Sequence, residues 1–265
     1  MSKRNDNLRF SLFVFTFFVQ MTQAQAFVNP EVFDKVVSAG VPHRALSELL
    51  GFIEEKMGQT FEQQVYVCSD RPENSVRPCE ESKRTPALKD VTMGVPQQVV
   101  IIDFKKPSSE RRFFLIDLRS GEVKKYYTSH GIGSGNSYVA TTFSNIKDSK
   151  QTSLGIYLTG EIYYGGYGQT LRMYGLEKSN DQAYNRDIVL HGAWYVGEDF
   201  MKSINPKTKQ PFDRIGVSWG CPAVSKYVAS QVIPQLAHGS LIYHFHEDLI
   251  DQARETGKTV KLVKN

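Results

Sequence analysis

A cysteine and a histidine are the residues of this 265-residue chain best suited to covalent chemistry. Cys221 stands in Val217-Ser218-Trp219-Gly220-Cys221-Pro222-Ala223-Val224. Pro222 has no N–H and a fixed φ, which suits the first position of a helix. Val224, Tyr227, Val228 and Val232 then recur at helical spacing. The pattern predicts a helix starting at Pro222 with Cys221 as its N-cap. There the sulfur would face free N–H groups and the positive end of the helix dipole, a setting that lowers a thiol's pKa. Cysteine is a poor cap beside Ser, Asp or Asn, which favours a chemical role. Gly220 lets the backbone bend before the cysteine, and the N–H groups of Gly220 and Cys221 are candidate oxyanion donors.

A thiol nucleophile needs a base and acid partner. Of the six histidines, His191 closes the apolar run Ile188-Val189-Leu190 and precedes Gly192, and a strand end holds an imidazole rigidly. His130 sits similarly in Tyr127-Thr128-Ser129-His130-Gly131, where a polar strand-loop junction is the competing reading. His244 and His246 share one strand face, but no third or fourth ligand accompanies them, so no metal is expected. His43 and His238 read as surface or helix-end residues. No cofactor of any kind is expected.

These residues need elements to hold them. The first 26 residues read as an export signal: a basic start with Lys3, Arg4 and Arg9, an apolar run Phe10 to Val19, and Ala24-Gln25-Ala26 as a small-x-small cleavage pattern. Ten apolar residues span only ~15 Å of a ~30 Å hydrocarbon core, too short for an anchor, and no later stretch is long enough to span a bilayer. Cleavage lowers the formal net charge from +4 to +2, too mild for a nucleic-acid partner.

Residues 27–97 are read as a helical segment followed by a disulfide-bearing loop. Val32, Phe33, Val36 and Val37 share one helix face, and Leu46, Leu49, Leu50 and Ile53 another, ending near Met57-Gly58. Residues 61–95 are polar and read as a surface insertion. An oxidising compartment favours pairing Cys68 with Cys79 there, which leaves Cys221 unpaired. From about 98 to 250 the chain turns strand-rich: Val99 to Phe104, a hairpin of Arg112 to Leu118 and Glu122 to Thr128, then Leu154 to Thr159, Ile188 to Leu190 and Leu241 to Phe245. Residues 251–265 are read as a tail. The fold class is mainly β with a few helices, a sheet-closed core with an N-terminal helical segment.

The pair His191-Gly192 followed by Ser218-Trp219-Gly220-Cys221 resembles the signature of the murein L,D-transpeptidase family. Ser129 to Gly135, Ser153-Leu154-Gly155 and Leu171 to Glu177 resemble one branch of that family, in the same order, so the likeness covers roughly residues 98–246. It implies an L,D-transpeptidase fold, Cys221 as nucleophile, His191 as base and work in the periplasm or cell envelope. The implied partners are peptidoglycan stem peptides, with an envelope protein as a further candidate partner. The implied reaction is thioester formation with a stem tetrapeptide and transfer to an amine. The alternatives are transfer to water, as an L,D-carboxypeptidase or a hydrolase releasing wall-linked protein, and a non-catalytic wall-binding domain. The chain departs from the wider family at Trp219, where many members have histidine, at Pro222-Ala223, and in a longer interval between His191 and Cys221.

Six further residues are candidates. Ser218 would orient His191 or the thiolate, and Gly192 would let substrate approach the backbone. Trp219 would wall the acyl pocket or simply pack. Tyr164 and Tyr167, in an aromatic and glycine-rich run, would form a lid or an exposed turn. Arg172 would pair with a stem carboxylate or make an internal ion pair.

Overall fold

The computed structural model describes residues 27–263, so the expected export signal lies outside the described residues. Helix α1 (Pro30–Ser38) starts at Asn29, whose side chain accepts the Glu31 N–H, and it buries Val36 with Val32, Phe33 and Val37 half-buried beside it. Helix α2 (His43–Lys56) buries Leu46, Leu49, Leu50 and Ile53, the stripe its spacing predicts.

Residues 61–95 are not the surface insertion expected. Strands β1 (Thr60–Cys68) and β2 (Arg84–Thr92) pair antiparallel, from Thr60 opposite Thr92 to Cys68 opposite Arg84. The hairpin looks polar in sequence because much of each strand stays in water, while Val65, Tyr66, Cys68 and Val91 are buried. The Cys68–Cys79 disulfide, with a Cα–Cα separation of 6.1 Å, ties off its loop.

The main body is built from β3 (Gln98–Asp103), β4 (Phe113–Asp117), β5 (Val123–Tyr126), the short β6 (Thr142–Phe143), β7 (Gly155–Gly165), β8 (Gly168–Gly175), β9 (Val189–Ala193), α3 (Glu198–Lys202), β10 (Ala223–Ser225), α4 (Lys226–Leu236), β11 (Leu241–Phe245), α5 (Ile250–Thr256) and β12 (Val260–Lys261). Eight strands form one sheet in the order β10-β9-β8-β7-β11-β3-β4-β5, and β12 pairs with β6. Val99 to Ile102 and every residue of β11 are buried, which explains why these strands read as nearly continuous apolar runs rather than alternating ones. Helix α4 lies along β8 and β9, and α2 against β11.

The two edges of this sheet are drawn together beyond β5. Ser129 N–H donates to Ala223 O (3.0 Å), Ser218 N–H to His130 O (2.9 Å) and Ile132 N–H to Ser218 O (2.8 Å). These bonds give the barrel-like, mainly β fold expected from the sequence, and Cys221 lies on the seam.

The helix after Cys221 begins later than predicted. Ala223, Val224 and Ser225 pair in parallel with His191, Gly192 and Ala193. Val224 enters the main core and Ala223 a small cluster with Ala193, Val196 and Ile215. The cap is Ser225, whose Oγ accepts the Val228 N–H at 3.2 Å. Cys221 is therefore not an N-cap, because burial of the intervening residues wins over the helical pattern that Pro222 starts.

Candidate active site

Cys221 ends a tight turn that begins at Ser218. Ser218 Oγ accepts the Gly220 N–H (3.1 Å) and donates to Cys221 O (2.6 Å), so it shapes the turn rather than orienting the imidazole or the sulfur. Ser129 Oγ also donates to Cys221 O, at 3.4 Å. Gly220 has φ +125°, and a Cβ there would lie 2.8 Å from Gln151 O, so only glycine fits. One of the two expected oxyanion donors, the Gly220 N–H, is spent inside the turn. The Cys221 N–H meets no acceptor among the described residues.

The thiol points toward the start of β9, where it donates to Asp187 O at 3.4 Å. Cys221 is half-buried and its sulfur is withdrawn from water, which pushes the thiol up to about 11. The Val189 N–H, Arg186 and Arg172 pull in the other direction, and Asp187 adds to the rise. The lowered thiol pKa expected from a helix N-terminus is thus reversed, since the sulfur faces strand backbone instead of a helix end.

His191 lies opposite Ala223 in the parallel β9–β10 register, two residues along from Cys221. Its Nδ1 is 3.1 Å from Gly192 O. A carbonyl only accepts, so Nδ1 carries the proton and Nε2 keeps the basic lone pair. Burial lowers the imidazole pKa, opposed by the Gly192 carbonyl, so the ring is a neutral base at pH 7. No hydrogen bond joins His191 to Cys221 in this state. The Tyr167 ring, from the β7–β8 hairpin tip, lies over the imidazole with centroids 4.4 Å apart and planes inclined at 32°. Tyr164, on the same tip, is 70 % exposed.

Other expected site residues take different places. His130 is fully buried: Arg112 Nη2 donates to its Nδ1 (2.7 Å) and its Nε2 donates to Asn136 O (2.9 Å). Burial and then Arg112 lower it to about 3, so it is a neutral framework residue closed to substrate. Arg172 is fully buried as well. It donates to Val76 O (2.6 Å) in the disulfide loop, to Asp187 Oδ1 (3.1 Å) and to Tyr66 OH (3.1 Å). It is the internal ion pair, not a free carboxylate receptor. Gly192 is needed by packing: a Cβ there would sit 3.0 Å from Lys226 Cα on α4. Trp219 is 75 % exposed and lines a cleft, with the Lys150 ammonium 4.9 Å from its ring centroid.

Asp187 is a residue that sequence reading missed. Its carbonyl receives the Cys221 thiol, while its carboxylate is shared by Arg172, Arg84 (2.6 Å) and the Tyr66 hydroxyl. The β1–β2 hairpin thereby braces the strand end against which the thiol rests. The charged pair Arg186-Asp187, directly before a buried strand, is the only signal in sequence.

Two clefts flank the pair. One of about 230 Å³ is lined by Trp219, Lys150, Arg186 and Asp187 on the cysteine side. The other, about 460 Å³, is lined by Tyr167, Gly192, Trp194 and Tyr195 on the histidine side. A larger cleft of about 670 Å³ lies at the hairpin, and neither Cys221 nor His191 lines any of the three. Among the described residues no helix is long and apolar enough to cross a membrane.

A family model described as the L,D-transpeptidase catalytic domain matches residues 81–245, starting inside the hairpin region and ending at the close of β11. Among solved structures the chain is similar to an L,D-transpeptidase from Mycobacterium smegmatis, at 14 % identity and TM-score 0.33 over 60 % of this chain and 63 % of that one. It is also similar to residues 123–326 of the L,D-transpeptidase from Xylanimonas cellulosilytica, at 15 % identity and TM-score 0.30 over 57 % and 61 % of the chains. For L,D-transpeptidase 1 of Mycobacterium tuberculosis the values are 13 %, 0.30, 60 % and 66 %. The chain covers less than two thirds of each of these three. A search of curated proteins gave no match.

Proposed function

The chain belongs to the L,D-transpeptidase catalytic-domain family, and on that premise we propose that it is a cysteine-dependent peptidoglycan L,D-transpeptidase of the cell envelope. Cys221 is the nucleophile and His191 the base. The thiol leaves the Asp187 carbonyl and turns to His191 Nε2, which takes its proton. Sulfur adds to the carbonyl before the terminal D-residue of a stem peptide. The C–N bond breaks, the imidazolium returns the proton to the leaving amine, and a thioester remains. The amine of a second stem then attacks the thioester, loses its proton to the imidazole and restores the thiol.

The observation that carries this reading is the parallel register that sets Ala223 opposite His191, since it brings the turn of the one free cysteine among the described residues beside a neutral imidazole. With the thiol on Asp187 O and His191 Nδ1 on Gly192 O, the pair is in a resting arrangement, and catalytic hydrogen bonds often tighten only with substrate.

Intact mass spectrometry of the protein with a tetrapeptide muropeptide tests it. A thioester mass on Cys221 with cross-linked dimers is expected. Tripeptide and free D-alanine alone would make the protein a carboxypeptidase. A Cys221→Ala protein that still forms dimers would end the nucleophile assignment.

A further inference from the structure

The carboxylate of Asp187 is gripped by three donors. Arg84 Nη2 donates to Oδ2 (2.6 Å), Arg172 Nη1 to Oδ1 (3.1 Å), and the Tyr66 hydroxyl also donates to Oδ1. Tyr66 and Arg84 come from the two strands of the β1–β2 hairpin, which is not part of the main sheet, and Arg172 comes from β8. The Arg84 guanidinium lies over the Tyr66 ring, 4.0 Å from its centroid. The disulfide loop holds both arginines from the other side: Cys79 O accepts from Arg84 (2.7 and 3.0 Å) and Val76 O from Arg172 (2.6 Å). Tyr66, Cys68, Val76 and Cys79 all precede residue 81, where the match to the catalytic-domain family begins.

Asp187 has φ +53°, a left-handed conformation that Asp and Asn tolerate better than other side chains. Its N–H donates to Tyr184 O (3.1 Å) and the Ile188 N–H to Ala183 O (2.9 Å), so the residue sits in a tight turn. Its carbonyl is the acceptor of the Cys221 thiol at 3.4 Å. One residue thus carries both the clamped carboxylate and the group under the sulfur. The charges that act on the sulfur are Asp187, Arg186 and Arg172, and the hydroxyls of Tyr157, Tyr163 and Tyr195 are near enough to feel it. After burial, which acts most, the Val189 N–H favours the thiolate and Asp187 disfavours it. The sulfur therefore rests between a group that keeps its proton and one that would receive it ionised.

We propose that Asp187 is a positioning residue of the reaction, whose carboxylate, clamped by Tyr66 and Arg84 of the hairpin and by Arg172, fixes the carbonyl that holds the Cys221 thiol until a donor peptide draws it toward His191. This role rests on Cys221 as the acylated residue. It gives the β1–β2 hairpin and its disulfide loop a share in the chemistry, exerted through Asp187.

The ionisation of Cys221 reads this role without a substrate. The ultraviolet absorbance of the thiolate is titrated in the full mature protein, with the Cys221→Ala protein of the same background subtracted. The wild-type midpoint is expected at about 11. Asp187→Asn keeps a residue that tolerates the left-handed backbone but removes the charge and one acceptor. Its midpoint should fall by ~1 pH unit, which gives ~10-fold more thiolate at any lower pH. Tyr66→Phe should give a smaller fall, and none in the Asp187→Asn background, because the hydroxyl acts through the carboxylate. The alkaline limb of the pH profile of thioester formation should move with the midpoint.

An unmoved midpoint in Asp187→Asn would overturn the role. So would a midpoint at ~8.5, the mark of a thiol freed by local opening, or a Tyr66→Phe effect equal in both backgrounds. A limb that stays while the midpoint moves would confine the clamp to the resting thiol and overturn its part in the reaction. Circular dichroism checks each fold. If Asp187→Asn does not fold, Tyr66→Phe decides alone: a lower midpoint supports the role and an unchanged one overturns it. The thioester mass on the wild-type protein reads the nucleophile separately, so failure of the one is not failure of the other.

Discussion

At neutral pH the thiol of Cys221 should react with iodoacetamide far more slowly than free cysteine does. Free cysteine, with a pKa of ~8.5, is ~3 % thiolate at pH 7. A thiol pushed to about 11 is ~0.01 % ionised there, a deficit of roughly 300-fold. The cause is local: the sulfur is withdrawn from water and donates to the Asp187 carbonyl, an interaction that favours the protonated form. Arg186 and Arg172 offset the loss only in part. The assay is carbamidomethylation followed by intact mass at pH 6 to 10.5, with the unfolded protein as reference. The rate should climb about tenfold per pH unit beyond pH 9 without reaching a plateau, which separates low ionisation from poor access, since access alone would lower the curve without moving it. His191→Ala should leave the curve in place, because no hydrogen bond joins the ring to the sulfur. A plateau below pH 8, or a neutral-pH rate that falls when His191 is removed, would refute the reasoning and show a preformed thiolate–imidazolium pair.

Replacing Cys68 and Cys79 together with serine should cost ~2–3 kcal/mol by the loop-closure argument, read as a fall in Tm, and should loosen the Val76 carbonyl from Arg172. Gly220→Ala should cost about 2 kcal/mol or more and abolish thioester formation, because it forces φ +125° on a side-chain-bearing residue against Gln151 O; full activity would contradict that geometry. Stability should fall as the pH drops from ~6.5 toward 4. His130 is depressed to about 3 by burial and Arg112, and His244 and His246 to about 4, led by burial. Between those values and ~6.5 the unfolded chain binds protons that the native state refuses. A Tm that is flat across that window would exclude this origin, and His244→Phe should flatten part of the slope.

Much of the scaffold is legible in the chain. The stripe Leu46, Leu49, Leu50 and Ile53 becomes the buried face of α2 because a helix can hide only one side. Val99 to Ile102 and Leu241 to Phe245 become central strands because runs this rich in apolar residues must be covered on both faces; His244 is buried with its Nδ1 bonded to Ser153 O. The cysteines divide as an oxidising compartment favours, with Cys68 bonded to Cys79 and Cys221 free. The family was readable, with Cys221 and His191 as its candidate pair, because residue type and order survive without coordinates.

Only the tertiary structure decided the settings of those residues. Pro222 and the spacing after it favour a helix locally, yet β9 offers backbone partners to Ala223–Ser225, and long-range pairing with burial overrides the local signal. That one change moves Cys221 from a helix end to a turn whose sulfur is buried against the start of β9, and reverses the direction of its thiol pKa. The segment 61–95 looked like a loop because polar composition does not reveal which partner will cover one face. Arg172 looked available because its three acceptors, Val76 O, Asp187 and Tyr66, come from other parts of the chain. The sequence by itself determined the family and which groups are candidates for the chemistry; the fold determined what surrounds each, because burial and charge neighbours arise from contacts between residues far apart in the chain.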